Sequence, residues 1–137
     1  MDAGYSKTTL LKKLGIKDGY KVWLLDVPTE YLDWLGPLPD IELIVGTRRR
    51  PKKCDFVHCF STQQKLMHKH LFRAKEAMSK SGMLWLSWPK KASGVDTDLD
   101  GNAIREMGLA TGLVDVKVAA VSEVWSGHKF VFRKSDR

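Results

Sequence analysis

Hydrophobic and polar positions divide this chain into short apolar runs that alternate with amphipathic stretches. Four runs are almost continuously apolar: residues 20–27, 41–45, 54–60 and 83–88. Runs of this kind are typical of strands that are buried on both faces of a parallel sheet. Between the third and fourth runs, five apolar residues recur at helical spacing, which predicts an amphipathic helix: Leu66, Met67, Leu71, Ala74 and Met78.

Local end signals predict where the helices begin and stop. The longest helix is expected to open at Ser61, because Ser61-Thr62-Gln63-Gln64 fits a capping box. Shorter helices are predicted after Thr8 or Thr9, over residues 29–35, and around Leu99 to Met107.

The last part of the chain follows a different period. Val114, Val116, Val118 and Ala120 alternate with the residues between them, which predicts a strand over residues 114–120. A turn near Ser126-Gly127 leads into a final strand. These two strands are joined too tightly for a crossover, so they should form an antiparallel hairpin. The whole pattern predicts an α/β three-layer sandwich, a mostly parallel Rossmann-like sheet with a C-terminal antiparallel hairpin.

Composition narrows the class of protein. The chain has 137 residues, 43% of them hydrophobic and 28% charged, which predicts one globular domain over residues 1–137. No apolar run approaches the ~20 residues of a membrane span, and the N-terminus lacks the apolar core of a secretory signal. We therefore expect a soluble, cytoplasmic protein with no membrane partner.

The net charge of +7 favours an acidic partner. One dense basic run stands out, and a proline within it indicates a loop: Arg48, Arg49, Arg50, Lys52 and Lys53. Such a run is either a solvated loop or a patch that binds phosphates, nucleic acid included. It contains no aromatic residue of the kind on which single-strand binders stack bases.

Candidate ligand-binding residues follow from the fold class. In open α/β sheets, ligands bind at the carboxyl ends of the strands. The residues expected there are Asp26, Phe60, Ser61, Trp88, Lys90, Lys91, Ser93 and Gly94. The loop from Trp88 to Gly94 combines a flat ring, two ammonium groups and a glycine that can turn backbone N–H groups toward an anion. It is also readable as a structural loop with solvated lysines.

Asp96, Asp98 and Asp100 alternate before the last predicted helix, a spacing that invites comparison with a calcium loop. Gly101 occupies the sixth position from Asp96, but Met107 stands at the twelfth, where a bidentate glutamate is needed. Helix capping by Asp98 or Asp100 is the better interpretation. No group of His, Cys and acidic residues has zinc spacing, so no metal site is predicted.

The order of elements resembles the class I S-adenosylmethionine methyltransferase fold, and residues 14–26 are similar to the approach to that family's first motif. At a finer level, residues 3–6, 88–94 and 112–118 resemble an uncharacterised bacterial domain-of-unknown-function family of small proteins. The methyltransferase resemblance implies an S-adenosylmethionine site at the end of the first strand, with a divergent methyltransferase as the activity.

Two departures from that family bear on the cofactor. The residues after Asp26 contain no glycine before Gly36, and the second strand runs into Gly46-Thr47-Arg48 rather than an acidic residue. These departures predict that S-adenosylmethionine does not bind in the usual way. They favour a non-enzymatic module that binds a small anion or a protein partner; a divergent methyltransferase and a nucleic-acid-binding protein are the alternatives.

Overall fold

The computed structural model describes residues 8–137 and contains six strands. The strands are β1 (Lys21–Leu25), β2 (Glu42–Val45), β3 (Cys54–Phe60), β4 (Met78–Pro89), β5 (Val114–Ala120) and β6 (Trp125–Val131). The α-helices are α1 (Leu10–Leu14), α2 (Tyr31–Leu35), α3 (Gln64–Ala77) and α4 (Gly101–Ala110). Short 3₁₀ turns occupy Lys91–Ser93 and Lys134–Asp136. Within the described residues, no helix is long and apolar enough to cross a bilayer.

The strands form one sheet in the order β2-β1-β3-β4-β6-β5. β2, β1, β3 and β4 are parallel, whereas β6 pairs antiparallel with both β4 and β5. The predicted fold class, with its C-terminal antiparallel hairpin, is therefore confirmed. The predicted turn near Ser126-Gly127 is wrong, because both residues belong to β6; the turn lies at residues 121–124, where Ser122 Oγ accepts from the N–H groups of Val124 and Trp125. The strand order reverses between β1 and β3, and this is the point where open α/β sheets bind ligands.

Two hydrophobic clusters cover the two faces of the sheet. On one face, α3 and α4 pack against residues such as Trp23, Cys59 and Phe130. On the other face, α1 and α2 pack against residues such as Phe56 and Trp85. This arrangement explains why β1 and β3 are apolar along nearly their whole length.

α4 lies unusually close to the sheet. A Cβ atom at Gly108 would stand 2.1 Å from the ring of Phe130, so no larger residue fits without movement of the helix or the strand. This contact fixes α4 against β6.

The connection from β2 to β3 is short for a parallel crossover. Residues 46–53 pass from the carboxyl end of β2 to the amino end of β3, across β1, without forming a helix. Parallel crossovers usually take a dozen or more residues. The Trp23 Nε1–H donates to the Gly46 carbonyl at 2.8 Å, and Arg50 pairs with Glu76 at the end of α3. The segment therefore lies on the α3 face, and the prediction of a loop here is confirmed.

The predicted capping box at Ser61 is wrong. α3 begins at Gln64, and Gln63 makes no side-chain cap hydrogen bond. Instead, the Gln64 N–H donates to Asp98 Oδ1 at 2.7 Å, while Ser61 Oγ accepts a hydrogen bond from the Gln63 N–H within a tight turn. The carboxylate that satisfies this helix end comes from 34 residues further along the chain.

A buried polar network links three elements on the α1–α2 face. The Tyr31 hydroxyl lies 2.7 Å from His58 Nδ1, and His58 Nε2 lies 2.8 Å from Ser87 Oγ. All three side chains are fully buried, and the imidazole lies 4.5 Å from the ring of Phe60, measured between centroids. Burial lowers the pKa of His58 to about 3, so the imidazole is neutral in the folded protein.

This network predicts a loss of stability in mild acid. In the unfolded chain the pKa of His58 returns to about 6.5, so below that pH the unfolded state binds a proton that the folded state excludes. The free energy of unfolding should then fall by up to about 1.4 kcal/mol per pH unit. Between pH 7.5 and pH 5, the free energy of unfolding measured with urea should fall by about 2 kcal/mol more in the unsubstituted protein than in His58→Gln. The exposed His68→Gln is the matched control; equal losses in all three proteins would contradict the assignment.

The distant cap predicts a second stability effect. Asp98→Ala removes the acceptor for the first N–H of α3 and should cost about 1 kcal/mol, or roughly 3–5 °C in melting temperature. Asp96→Ala is the control, because Asp96 is exposed and no hydrogen bond to its side chain is seen among residues 8–137. A thermal melt in which the two variants behave alike would contradict this role for Asp98.

Candidate functional site

The carboxyl ends of β1, β3 and β4 meet at one edge of the sheet. Asp26 follows β1, Ser61 follows β3, and Trp88-Pro89 ends β4. Neighbouring strands are about 4.8 Å apart, so these three ends span roughly 10 Å. The fold thus brings the sequence-predicted residues to one side of the molecule.

A cavity of about 630 Å³ opens at the β4 end of this edge. Its volume lies within the ~300–1,000 Å³ of small-molecule sites. The lining residues come from the end of β4, the following segment, the start of α4 and the start of β6: Trp88, Pro89, Lys90, Lys91, Gly94, Val95, Asp96, Thr97, Asp98, Leu99, Asp100, Gly101 and Ser126. Trp88 is only 7% exposed and forms part of the hydrophobic core, so it gives the cavity a rigid aromatic wall.

The loop after β4 uses most of its polar groups internally. Lys90 Nζ donates to the Ser122 carbonyl at 2.8 Å, and Ser93 Oγ donates to the Lys90 carbonyl at 2.6 Å. Gly94 is left-handed, with φ of 75°, and its N–H donates to the Lys91 carbonyl. Lys91 is exposed, and no partner for its ammonium group is seen within residues 8–137. Of the loop side chains predicted to attract an anion (Lys90, Lys91 and Ser93), Lys91 is the one without a hydrogen bond or ion pair among residues 8–137.

Three carboxylates on the cavity wall change its charge. Asp98 caps α3, and Asp100 Oδ1 accepts a hydrogen bond from the Ala103 N–H at 2.8 Å, which caps α4. The prediction that Asp98 or Asp100 caps the last helix is confirmed for Asp100, whereas Asp98 caps α3 instead. The positive ends of both helices are therefore satisfied by the protein's own carboxylates. Asp96 adds a third carboxylate, which is exposed.

Asp26 and Ser61 lie beside this cavity rather than in its lining. Asp26 adopts a left-handed conformation with φ of 55°, and its half-exposed carboxylate lies 2.7 Å from Nε2 of the buried His70. Ser61 is buried, and its N–H donates to the Ser87 carbonyl at 3.2 Å. The pair of Asp26 and His70 holds the end of β1 to α3, a contact that sequence spacing does not indicate.

A smaller cavity, of about 250 Å³, lies where the residues after β3 meet the segment before α4. It is lined by Thr62, Gln63, Asp96, Thr97 and Asp98. The Thr97 hydroxyl donates to the Thr62 carbonyl at 2.6 Å, so the segment before α4 is tied to the carboxyl end of β3. Sequence reasoning missed Thr97, because its partner is 35 residues away.

A larger cavity, of about 720 Å³, lies at the opposite end of α3. Its lining includes Phe72, Met78, Lys80 and Phe132. The Lys80 ammonium group lies 4.6 Å from the centroid of the Phe132 ring. Phe72, Met78 and Phe132 make the lining of this cavity mainly apolar. It is away from the carboxyl edge, where α/β folds bind ligands, so the 630 Å³ cavity is the better candidate despite its smaller volume.

No group of three or more His, Cys, Asp or Glu side chains in the described part of the chain is arranged to hold a metal ion. The five basic residues between β2 and β3 are all exposed and do not line the carboxyl-edge cavity.

Comparison with known proteins places the fold. Neither a scan of family models nor a search of curated proteins found a match. Solved structures do match over most of the chain. A DhpI–SAH complex aligns with a TM-score of 0.65 at 12% identity, covering 92% of this chain and 83% of that one.

Two further structures share the likeness. A SAM-dependent methyltransferase from Aquifex aeolicus aligns with a TM-score of 0.59 at 15% identity over 88% of this chain and 86% of its own. The complex between the Haloferax volcanii Trm112 methyltransferase activator and the putative methyltransferase aligns with a TM-score of 0.62 at 10% identity, covering 89% of this chain and 86% of that one. At these identities the likeness establishes the fold alone: the described chain has the fold of SAM-dependent methyltransferases.

Proposed function

We propose that this chain is a divergent S-adenosylmethionine-dependent methyltransferase whose cofactor binds in the carboxyl-edge cavity. The observation that carries the proposal is the mixture of groups on the cavity wall. Trp88, Asp96 and Lys91 all line one space of about 630 Å³ at the edge where this fold binds ligands.

The chemistry of the wall suits S-adenosylmethionine better than a simple anion. The ligand carries an aromatic base, a positive sulfonium, and an amino acid group with both charges. An indole can stack on the base, carboxylates can pair with positive groups, and Lys91 can pair with the ligand's carboxylate. A small anion would meet three aspartates, and both adjoining helix ends are already capped.

The turn after β1 also bears on the proposal. Methyltransferases use glycine here because the turn takes backbone conformations that other residues avoid. In this chain Asp26 itself adopts the left-handed conformation, which aspartate tolerates better than most residues. A glycine-free turn is thus possible at this position, but the Asp26 side chain occupies space beside β1. The ligand is therefore expected nearer β4 than β1.

A non-enzymatic binding module is the second candidate. The hydrogen bond between Asp26 and His70 supports this candidate. It gives a structural role to the carboxylate at the end of β1, where the methyltransferase family usually binds its cofactor. In that case Lys91, rather than a cofactor, would define the site, and a small anion or a protein partner would occupy it.

The first test is a thermal melt with S-adenosylmethionine. A ligand at about 100 times its Kd adds about 2.7 kcal/mol to the free energy of unfolding, which should raise the melting temperature of this chain by roughly 8 °C or more. Inorganic phosphate at the same concentration is expected to give no shift. A shift with phosphate alone would support the anion-binding module, and no shift with S-adenosylmethionine would contradict the proposal.

Two conservative variants localise the site. Lys91→Ala and Asp96→Asn alter exposed side chains on the cavity wall, so the melting temperature without ligand should not change. Each should weaken S-adenosylmethionine binding roughly 10- to 150-fold by titration calorimetry, because each loses one charged hydrogen bond. Lys134→Ala and Glu123→Gln, exposed residues that do not line this cavity, are the matched controls. Binding that is weakened equally in the controls would place the ligand elsewhere.

Transfer of a methyl group is the remaining test. Incubation of the protein with methyl-labelled S-adenosylmethionine and cell extract should yield a labelled acceptor, and the Lys91→Ala/Asp96→Asn double variant should yield far less. Binding without any labelled product would identify a ligand-binding module rather than an enzyme.

A further inference from the structure

The chain's positive charge is concentrated in two neighbouring elements. The whole sequence has 23 Lys and Arg against 16 Asp and Glu. Segment 46–53 and α3 together hold nine of these basic residues and one of the acidic ones, which leaves 14 basic and 15 acidic residues in the rest of the chain. The excess charge therefore belongs to one surface, and we call segment 46–53 together with α3 the basic face.

The structure places these two elements side by side. Segment 46–53 crosses β1 on the face that α3 covers, and the Arg50–Glu76 ion pair joins it to the end of α3. Arg73 packs over the Trp23 ring at 5.3 Å from its centroid, while Trp23 also donates to Gly46 at the start of the segment. Helix and segment thus present their cations to the same side of the sheet.

Three cations of the basic face have partners: Arg50 pairs with Glu76, Arg73 lies over the Trp23 ring, and Lys75 donates to the Thr111 carbonyl. For the other six, no side-chain partner is seen among residues 8–137. Lys65, Lys69 and Arg73 stand four residues apart on α3, so they form a row at steps of about 6 Å. Arg48, Arg49, Lys52 and Lys53 are exposed. Among the segment's five cations, Arg50 is the one with an ion pair in the described part of the chain. Such a concentration of like charge costs repulsion, which a polyanion would relieve.

We infer that the basic face binds the sugar-phosphate backbone of a nucleic acid. The cations are long, exposed and arranged over a helix about 21 Å in length, which suits several successive phosphates rather than one small anion. The basic run contains no aromatic residue for base stacking, so contacts should be to phosphates and largely independent of sequence. The inference goes beyond the proposed function, since it needs neither the carboxyl-edge cavity nor S-adenosylmethionine.

The test is fluorescence anisotropy with a labelled duplex of about 20 base pairs, without S-adenosylmethionine, over a series of KCl concentrations. Contacts with about five phosphates would give a slope near −4.5 in log affinity against log salt, or a loss of several hundred-fold between 50 and 200 mM. Labelled double- and single-stranded RNA of the same length identifies the preferred nucleic acid. Binding that is insensitive to salt, or absent at 50 mM KCl, would overturn the inference.

Two triple variants with the same net charge separate a local site from overall charge. Arg48→Gln/Arg49→Gln/Lys52→Gln should weaken binding at least 30-fold at 100 mM KCl, since each phosphate contact contributes up to about 8-fold there. Lys12→Gln/Lys17→Gln/Lys134→Gln removes the same charge from exposed positions outside the basic face and should change binding less than 3-fold. Equal losses in the two variants would overturn the inference.

Additional controls test whether the variants fold and whether the ligand is a nucleic acid. Arg50 and Arg73 are left intact because they make the contacts with Glu76 and Trp23, and unchanged thermal melts should show that both variants fold. Lys69→Gln in the helix is an independent variant expected to weaken binding several-fold. Polyglutamate and vesicles with 30% phosphatidylserine are added as competitors. Competition by either at an equal charge concentration would indicate an acidic protein or a membrane surface, and would overturn the assignment to nucleic acid.

Discussion

The need to cover both faces of a parallel sheet constrains the rest of this molecule. β1 and β3 are buried on both sides, so each crossover must also shield apolar surface. Two helices on each face meet most of this need. The crossover from β2 to β3 is the exception, because segment 46–53 spans β1 without a helix. There the segment and Arg73, which lies over the Trp23 ring, add charged groups to the apolar cover that α3 provides.

At the carboxyl ends of the strands, charged side chains also take structural roles. Instead of a glycine-rich turn after β1 there is a left-handed aspartate bonded to a buried histidine, and the ends of α3 and α4 are capped by carboxylates from one short segment. Residues 96–100 thereby serve both helices and one cavity. Electrostatics at this edge are consequently mixed, whereas the basic face is of one sign. The molecule presents two chemically distinct surfaces on a single small sheet.

Periodicity and end signals were sufficient for much of the fold. β3 (Cys54–Phe60) and β5 (Val114–Ala120) have the bounds that their hydrophobic patterns predict, and the antiparallel hairpin follows from the short turn between the last two strands. β4 begins five residues earlier than predicted, at Met78, because Met78 pairs with Cys54 beyond a register shift. A polar stretch of sequence concealed that part of the strand.

The candidate site was less accessible to sequence reasoning. Trp88 and Lys91 were placed correctly at the end of β4, since strand ends can be read locally. The caps on α3, the pairing of Asp26 with His70 and the buried network of His58 depend on partners 27 or more residues away. One sequence carries no signal for such pairings. The sequence predicts that the loop after β4 attracts an anion, but the cavity also has three aspartates in its wall. The bonds that engage Lys90 and Asp98 are set by the tertiary structure, so the sequence alone does not reveal them.

The close contact of Gly108 with Phe130 has a bearing on how the cavity meets a ligand. It holds α4 against β6, and each of these two elements contributes a residue to the cavity wall, Gly101 from α4 and Ser126 from β6. Neither element can shift independently without disturbing a tightly packed interior. The depth and width of the cavity are thus set before any ligand arrives, and binding spends little free energy on reshaping it. Adaptation to different ligands would fall to residues 94–100, the longest stretch of the wall outside a helix or strand.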